Sequence, residues 1–343
     1  MRTTLRDVAR LAGVSPKTVS NVVNGYIHVR PETRRRVQHA IARLNYRPNL
    51  SARSLRRGRT GVIALAVPEL DVPYFAELAR HLVAEAERYG WTVLVDQTEG
   101  EPDRERQILD GLRGQLIDGL IFSPLALTAA DLAKRTDATP LVLLGERIHQ
   151  GPADHVVIDN VAASRAATEH LIGLGRRRIA AIGAQLAPAG VTARLRLRGY
   201  REALEAAGLP YDENLVASTT YFHRADGAAA MARLLDRTPR PDAVFCFNDL
   251  LALGALRTLA DHGVRVPDDI AVIGFDDIED GQYSVPTLST VSPDKRQIAR
   301  LAVDLLNQQL VSGAAGQADG RGPQEVFATF ELVARESTLG RER

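Results

Sequence analysis

At 343 residues the chain exceeds one ordinary hydrophobic core, and its 45% hydrophobic content supports two or three folded domains. The formal net charge is only +1, yet residues 1–60 carry 14 Lys and Arg against Asp7 and Glu32, a local +12 that leaves −11 on the rest. No run of about 18 apolar residues suggests a membrane span, the polar N-terminus has no signal-peptide core, and the single cysteine, Cys246, excludes an intramolecular disulfide and reads as a buried small hydrophobe in a reducing compartment.

The basic end is where a polyanion should bind, because clustered cations release counterions condensed on a phosphate backbone. Its cations are interleaved with apolar residues at helical spacing, which a solvated charge run does not require. Leu5, Val8, Ala9 and Ala12 form one stripe, Gly13-Val14 interrupts it, and Ser15-Pro16 restarts a helix as N-cap and first residue. Val19, Val22 and Val23 make the second stripe, with Lys17, Ser20, Asn21 and Asn24 on the opposite face. Pro31-Glu32 opens a third helix with the stripe Val37, Ala40, Ile41 and Leu44. Two short helices joined by a Gly turn and braced by a third predict a helix-turn-helix, whose second helix offers its polar face to base edges in a major groove. A plain three-helix interaction domain fits the charge and the amide-rich face less well.

Pro48 should end the third helix and Asn49 can cap a short new one. Leu50, Ala52 and Leu55 give that segment too little apolar surface to be stable alone, so a flexible linker is the plain alternative. From Gly61 onward, short apolar runs alternate with amphipathic helices. Residues 62–67, 93–95, 120–122 and 141–144 read as buried parallel strands, and Phe75, Leu78, Ala79, Leu82, Val83 and Ala86 as a helical stripe ended by Gly90. A second series follows, with strands at 156–158, 179–182, 243–247 and 270–274 and helices ending near Gly175, Gly208 and Gly263. Two consecutive series predict an α/β fold with two doubly wound parallel-sheet subdomains.

Ligands of such sheets bind beyond the carboxyl ends of the strands. The residues there are Glu69, Tyr74, Gln97, Ser123, Glu146, Arg147, Arg196, Asn248, Asp249, Asp276 and Asp277. Carboxylates, amides and guanidinium groups in one crevice suit several hydroxyls, and Tyr74, Phe75 or Phe222 could cover a sugar ring. Asp249 and Asp277 equally suit helix caps, and Tyr74 and Phe75 equally suit the core.

The run Thr4-Leu5-Arg6-Asp7-Val8-Ala9-Arg10-Leu11-Ala12-Gly13-Val14-Ser15-Pro16-Lys17-Thr18-Val19-Ser20 resembles the start of regulators of the lactose repressor/galactose repressor family. Asn45-Tyr46-Arg47-Pro48-Asn49 and Ala52-Arg53-Ser54-Leu55 are similar to that family's hinge helix. The likeness continues through Asn248-Asp249, Gly274-Phe275-Asp276-Asp277 and Ala334-Arg335-Glu336-Ser337-Thr338, nearly the whole chain.

The resemblance implies a sequence-specific transcriptional regulator, a repressor, controlled by a small-molecule effector, most simply a sugar. It implies a helix-turn-helix domain at 1–46, a hinge helix and linker at 47–60, and a bilobal periplasmic-binding-protein-like core at 61–340. The chain is expected to cross between lobes near 159, 290 and 322, giving an N-subdomain of 61–158 and 290–321 and a C-subdomain of 159–289 and 322–340. DNA contacts are expected from Leu5, Arg6, Ser15, Pro16, Lys17, Thr18, Ser20, Asn21, Asn24, His28 and Thr33. The hinge adds Asn49, Ala52, Arg53 and Leu55, the last wedging between base pairs in the minor groove. Effector contacts are expected from Tyr74, Phe75, Ser123, Glu146, Arg147, Arg196, Phe222, Asn248, Asp249 and Asp276. Arg194-Leu195-Arg196-Leu197-Arg198-Gly199-Tyr200 matches the segment that supplies a ligand-clamping Arg, with Arg196 and Asp276 expected to approach from opposite sides.

Asn21 stands where many members have Arg, which favours adenine over guanine. Gly145-Glu146-Arg147 departs from the usual Asp-Arg pair. The expected partners are a palindromic double-stranded operator, the effector and a second copy of the chain, with no cofactor or metal, in the cytoplasm at the nucleoid.

The competing class is a sugar-processing enzyme with a DNA-binding head. The sequence has no Gly-x-x-x-x-Gly-Lys-Ser/Thr loop, Gly-x-Ser-x-Gly elbow or His-Glu-x-x-His motif, and its eight His residues lack zinc-like spacing. Gly173-Leu174-Gly175 reads as a helix C-cap. No catalytic residue is therefore assigned.

Overall fold

The computed structural model describes residues 3–23, 26–46, 59–111, 116–148, 151–185, 190–314 and 322–341. The chain divides into two compact units, Met1–Gly61 and Val62–Arg343.

In the first unit, helix Leu5–Ala12 opens on a capping box: Thr4 accepts from the Asp7 backbone N–H, and the Asp7 carboxylate accepts from that of Thr4. Gly13 ends the helix at φ +61°, a left-handed conformation that a Cβ would strain. The Arg36 guanidinium donates to the Ala12 and Gly13 carbonyls and so ties this turn to helix Pro31–Arg43. Ser15 Oγ accepts from the Thr18 N–H at 3.1 Å, capping helix Pro16–Val23 as its sequence position dictates. Val8, Ala9, Ala12, Val19, Val22, Val37, Ala40 and Tyr46 bury one shared core, with Val23, Ile41 and Leu44 at its edge.

The second unit holds two six-stranded sheets. The strands are β1 (Val62–Val67), β2 (Thr92–Gln97), β3 (Gly119–Phe122), β4 (Leu141–Leu144), β5 (Asp154–Ile158), β6 (Ile179–Ala184), β7 (Val216–Ser218), β8 (Ala243–Cys246), β9 (Ala271–Phe275), β10 (Ser289–Pro293), β11 (Glu325–Ala328) and β12 (Phe330–Val333). The first sheet runs β11-β5-β4-β3-β1-β2, with every pairing parallel. The second runs β12-β10-β9-β8-β6-β7, parallel except where β12 lies antiparallel to β10. In both, the chain goes out to one edge and returns past its starting strand. The order therefore reverses beside β1 and β6, where a crevice opens at the strand ends.

One expected crossing moves. Ser289–Pro293 pairs in the second sheet, and helix Lys295–Ala314 packs on helix Pro73–Glu87 of the first lobe. Glu325–Ala328 pairs with β5, and Phe330–Val333 with β10. The chain thus passes between lobes after Ile158, after Pro293, close to the expected 290, and at Thr329, beyond the expected 322. The last crossing was hidden because β11 and β12 are only four residues each and both carry a Glu, without the longer apolar run that marks an interior strand.

β2 is also less buried than a parallel strand between neighbours, because it ends the sheet: Leu94 and Val95 are 39% and 38% exposed. On the helical stripe before it, Val83 is likewise exposed. Cys246 is fully buried in β8, and burial pushes its thiol pKa up, leaving an inert hydrophobe.

Candidate functional site

In the first unit, the buried stripe of helix Pro16–Val23 (Val19, Val22) fixes which way its polar face points. Ser15, Pro16 and Lys17 are exposed, and Thr18, Ser20 and Asn21 half-buried. Arg6 and His28 are exposed and Thr33 is half-buried. Leu5 is half-buried and packs against the core. Arg34, a plausible phosphate ligand from charge alone, donates to the Tyr26 carbonyl at 2.6 Å and holds the loop before the third helix. Asn24, Asn49, Ala52, Arg53 and Leu55 lie outside the described residues.

In the second unit, one cavity of about 650 Å³ lies between the two lobes at their strand ends. Tyr74, Phe75, Ser123, Glu146 and Arg147 line it from the first lobe, and Arg196, Phe222, Asn248 and Asp276 from the second. Its floor is built around Arg196. A Cβ on Gly199 would come within 2.2 Å of the Val161 carbonyl, so glycine alone permits helix Val191–Ala206 to approach helix Asn160–Gly173 this closely. That approach lets Arg196 Nε donate to Asn160 Oδ1 at 2.8 Å. The guanidinium also donates to the Phe247 carbonyl and lies 3.6 Å from the Phe275 ring centroid.

Arg196 Nη2 is 3.9 Å from Asp276 Oδ1. Both residues belong to the second lobe, so they adjoin each other and do not reach in from opposite sides. Burial raises the Asp276 carboxyl pKa to about 6, against the lowering pull of Arg196 and Lys295. Burial also pulls the Arg196 pKa below its ordinary value, opposed by Asp276, and pushes the Tyr74 phenol up, so that it stays a neutral donor.

The loop carrying Asp276 is unusual: Asp276 and Asp277 have φ of +113° and +49°, the left-handed side disfavoured for side chains. Several bonds hold it there. Lys295 Nζ donates to the Asp276 and Asp277 carbonyls at 2.6 and 2.9 Å while pairing with Glu77 of the first lobe at 2.7 Å. Arg335, within the Ala334–Thr338 motif, donates to Asp277 Oδ1 at 2.6 Å, and Ser292 donates to Oδ2 at 3.0 Å. Asp277 is therefore a brace. Lys295 gave no sequence signal beyond being one of three lysines.

Asp249 corrects the expected set. It is fully buried and does not line the cavity. One of its oxygens accepts from the Ile278 N–H at 3.0 Å and the other from the Thr290 hydroxyl at 2.7 Å. Its neighbour Asn248 does both jobs: its Oδ1 caps helix Asp249–Asp261 through the Leu251 N–H, its Nδ2 donates to the Phe222 carbonyl, and it lines the cavity. Arg147 lines the cavity too, but donates to the Ala126 and Leu127 carbonyls.

Direct bonds cross the cleft. Thr192 donates to Glu146 Oε2 at 3.2 Å, His223 Nε2 to Glu69 Oε2 at 2.8 Å, and the Glu279 N–H to Glu77 Oε1 at 3.1 Å. Sequence reading missed Thr192 and His223, which no motif marks. Among the described residues no cluster of His, Cys, Asp or Glu could hold a metal, and no helix is long and apolar enough to cross a membrane.

Comparison with known proteins agrees with both halves. Residues 4–49 match the model of bacterial regulatory proteins, lacI family, and residues 168–338 that of a periplasmic binding protein-like domain. The HTH-type transcriptional regulator CelR of Thermobifida fusca is 41% identical, covering 98% of each chain. A solved CelR–cellobiose complex is 35% identical with a TM-score of 0.71, covering 98% of this chain and all of that one. A lac repressor dimer bound to operator and the anti-inducer ONPF is 30% identical with a TM-score of 0.82, covering 98% of this chain and 99% of that one.

Proposed function

This chain belongs to the lacI family of bacterial regulatory proteins, and on that premise we propose that a sugar in its cleft controls how it binds a palindromic operator as a homodimer. It is a helix-turn-helix transcriptional regulator and not an enzyme, as its relatives are. The observation that carries the effector reading is the buried Arg196–Asp276 pair beside Asn248 on the floor of a cavity walled by both lobes. A guanidinium held in place by Asn160 and the Phe247 carbonyl, a carboxylate acceptor and nearby aromatic rings suit hydroxyls on a ring with apolar faces. The CelR relative solved with cellobiose supports a sugar.

Lys17 and Asn21, one turn apart, are the proposed base readers, with Arg6 and the exposed basic residues holding phosphates. Leu55, in the hinge motif, is the proposed minor-groove wedge, so Leu55→Ala should weaken operator binding and leave effector affinity unchanged. Among the described residues the lobes are bridged by bonds such as Thr192–Glu146 and His223–Glu69, and a ligand touching both lobes favours one of their arrangements. Linkage then carries that preference to DNA affinity. The cytoplasm is the proposed location.

A thermal-shift screen of the full chain against neutral sugars, phosphorylated sugars and nucleosides tests the reading, because only a ligand of the folded state raises the melting temperature. A sugar should do so, and a nucleoside as the sole hit would overturn it.

A further inference from the structure

The cleft has a second, outer part that the inner floor does not explain. Arg196, Asp276 and Asn248 are each under 10% exposed, whereas Tyr221, on the same cavity wall, is 58% exposed. Its ring stacks on that of His223 at 9° between planes and 5.4 Å between centroids. The His223 imidazole is in turn hydrogen-bonded to Glu69 of the other lobe. The result is a flat aromatic platform at the mouth, formed by one lobe and pinned by the other. Such a surface stacks the C–H face of a pyranose, while the Glu69 carboxylate accepts from its hydroxyl edge. Thr219, in the same loop, carries a buried hydroxyl without a hydrogen-bond partner among the described residues, an unmet bond at this wall.

The charges select against an anion. Glu69, Glu99, Glu146 and Asp276 line the cavity against two guanidinium groups, Arg147 and Arg196. Arg147 donates to two carbonyls, and Arg196 is engaged by Asn160, the Phe247 carbonyl and Asp276. Neither presents the open fork that a phosphate needs. A cavity of about 650 Å³ sits amid the usual range for ligand clefts and leaves space beyond one ring on the floor.

We propose that Tyr221, His223 and Glu69 form an outer subsite for a second sugar ring, so that the effector is an uncharged oligosaccharide of at least two rings. The proposal rests on the sugar reading above. Because Glu69 and His223 come from different lobes, a ring covering the platform also excludes water from the bond between them, so the second ring reports directly on how the lobes meet.

The test is calorimetry on the full chain with glucose, galactose, cellobiose, maltose, lactose and glucose 6-phosphate. At least one disaccharide should bind about tenfold tighter than either of its monosaccharides, with glucose 6-phosphate no tighter than glucose. Tyr221→Ala should lower that disaccharide's affinity about tenfold and bring its preference over the monosaccharide towards one, while Tyr221→Phe, which keeps the ring, restores the preference. Equal affinity for one and two rings, tightest binding of glucose 6-phosphate, or equal losses for both ring numbers in Tyr221→Ala would overturn the outer subsite alone. Binding of no sugar in the panel would overturn it together with the sugar reading.

Discussion

Arg196 Nη2 and Asp276 Oδ1 face each other at 3.9 Å on one lobe, each the other's counter-charge and each under 10% exposed. The pair is thus both ligand-binding equipment and a mutually dependent unit. Removing one member strands the other's charge at low solvation, a cost that the intact pair avoids.

The first prediction follows from that dependence. Arg196→Ala and Asp276→Ala should each weaken effector binding by about 1–3 kcal/mol, because ligand polar atoms are left unpaired in a desolvated site. The double variant should lose less than the sum, since the second removal also eliminates the stranded charge. Calorimetric titration of the three variants, each first shown to melt cooperatively, measures this. Additive losses would mean that the two side chains act separately.

A second prediction concerns pH. With its pKa raised by burial to about 6, Asp276 is mostly ionised at pH 7 and mostly protonated at pH 5. Effector affinity should therefore fall across that window, as the carboxylate loses its acceptor role and its attraction for Arg196. The stability effect has the opposite sign: a carboxyl whose folded pKa lies above its unfolded value favours the folded state as pH falls towards that unfolded value. Loss of affinity between pH 7 and 5 would then not be unfolding caused by this group. In Asp276→Asn the affinity should be lower and the pH slope flatter. A slope unchanged in the variant would assign the titration elsewhere.

Asp249 provides a third. Its two carboxylate oxygens hold the Ile278 N–H and the Thr290 hydroxyl, joining the loop after β9 to β10. Asp249→Ala should cost about 1–3 kcal/mol of stability by leaving those donors unpaired. A chemical-denaturation midpoint equal to wild type, combined with lost effector binding, would return Asp249 to the cleft.

The fourth concerns base choice. Asn21→Ala should weaken the best operator by about 1–3 kcal/mol and relax preference at one base pair. Lys17→Ala should alter preference at a neighbouring step. Binding-site selection gives the answer, and an unchanged preference for the Asn21 variant would remove it from the reading face.

What sequence reveals here depends on how local the cause is. The three N-terminal helices announce themselves because stripe, cap and Gly13 turn all lie within a few residues. Interior strands such as β1 are continuous apolar runs. β10, β11 and β12 mix polar and apolar residues and pair across long sequence distances, so periodicity passes over them.

The cleft shows the same division. That residues 248–249 and 276–277 lie beyond strand ends was legible, but which acid faces the cavity was not. The answer turns on Thr290 and Arg335, 41 and 58 residues from their partners. The His223–Glu69 bond joins residues 154 positions apart and follows only from how the lobes meet.

The most direct test of the central claim is operator affinity, measured by fluorescence anisotropy with and without a saturating sugar found by the thermal-shift screen. For wild type the sugar should change operator affinity about 5- to 150-fold, the coupling typical of linked sites. Arg196→Ala, folded and binding operator, should show almost no response at the same sugar concentration. An unchanged operator affinity in sugar-saturated wild type, or a full response in Arg196→Ala, would contradict the account.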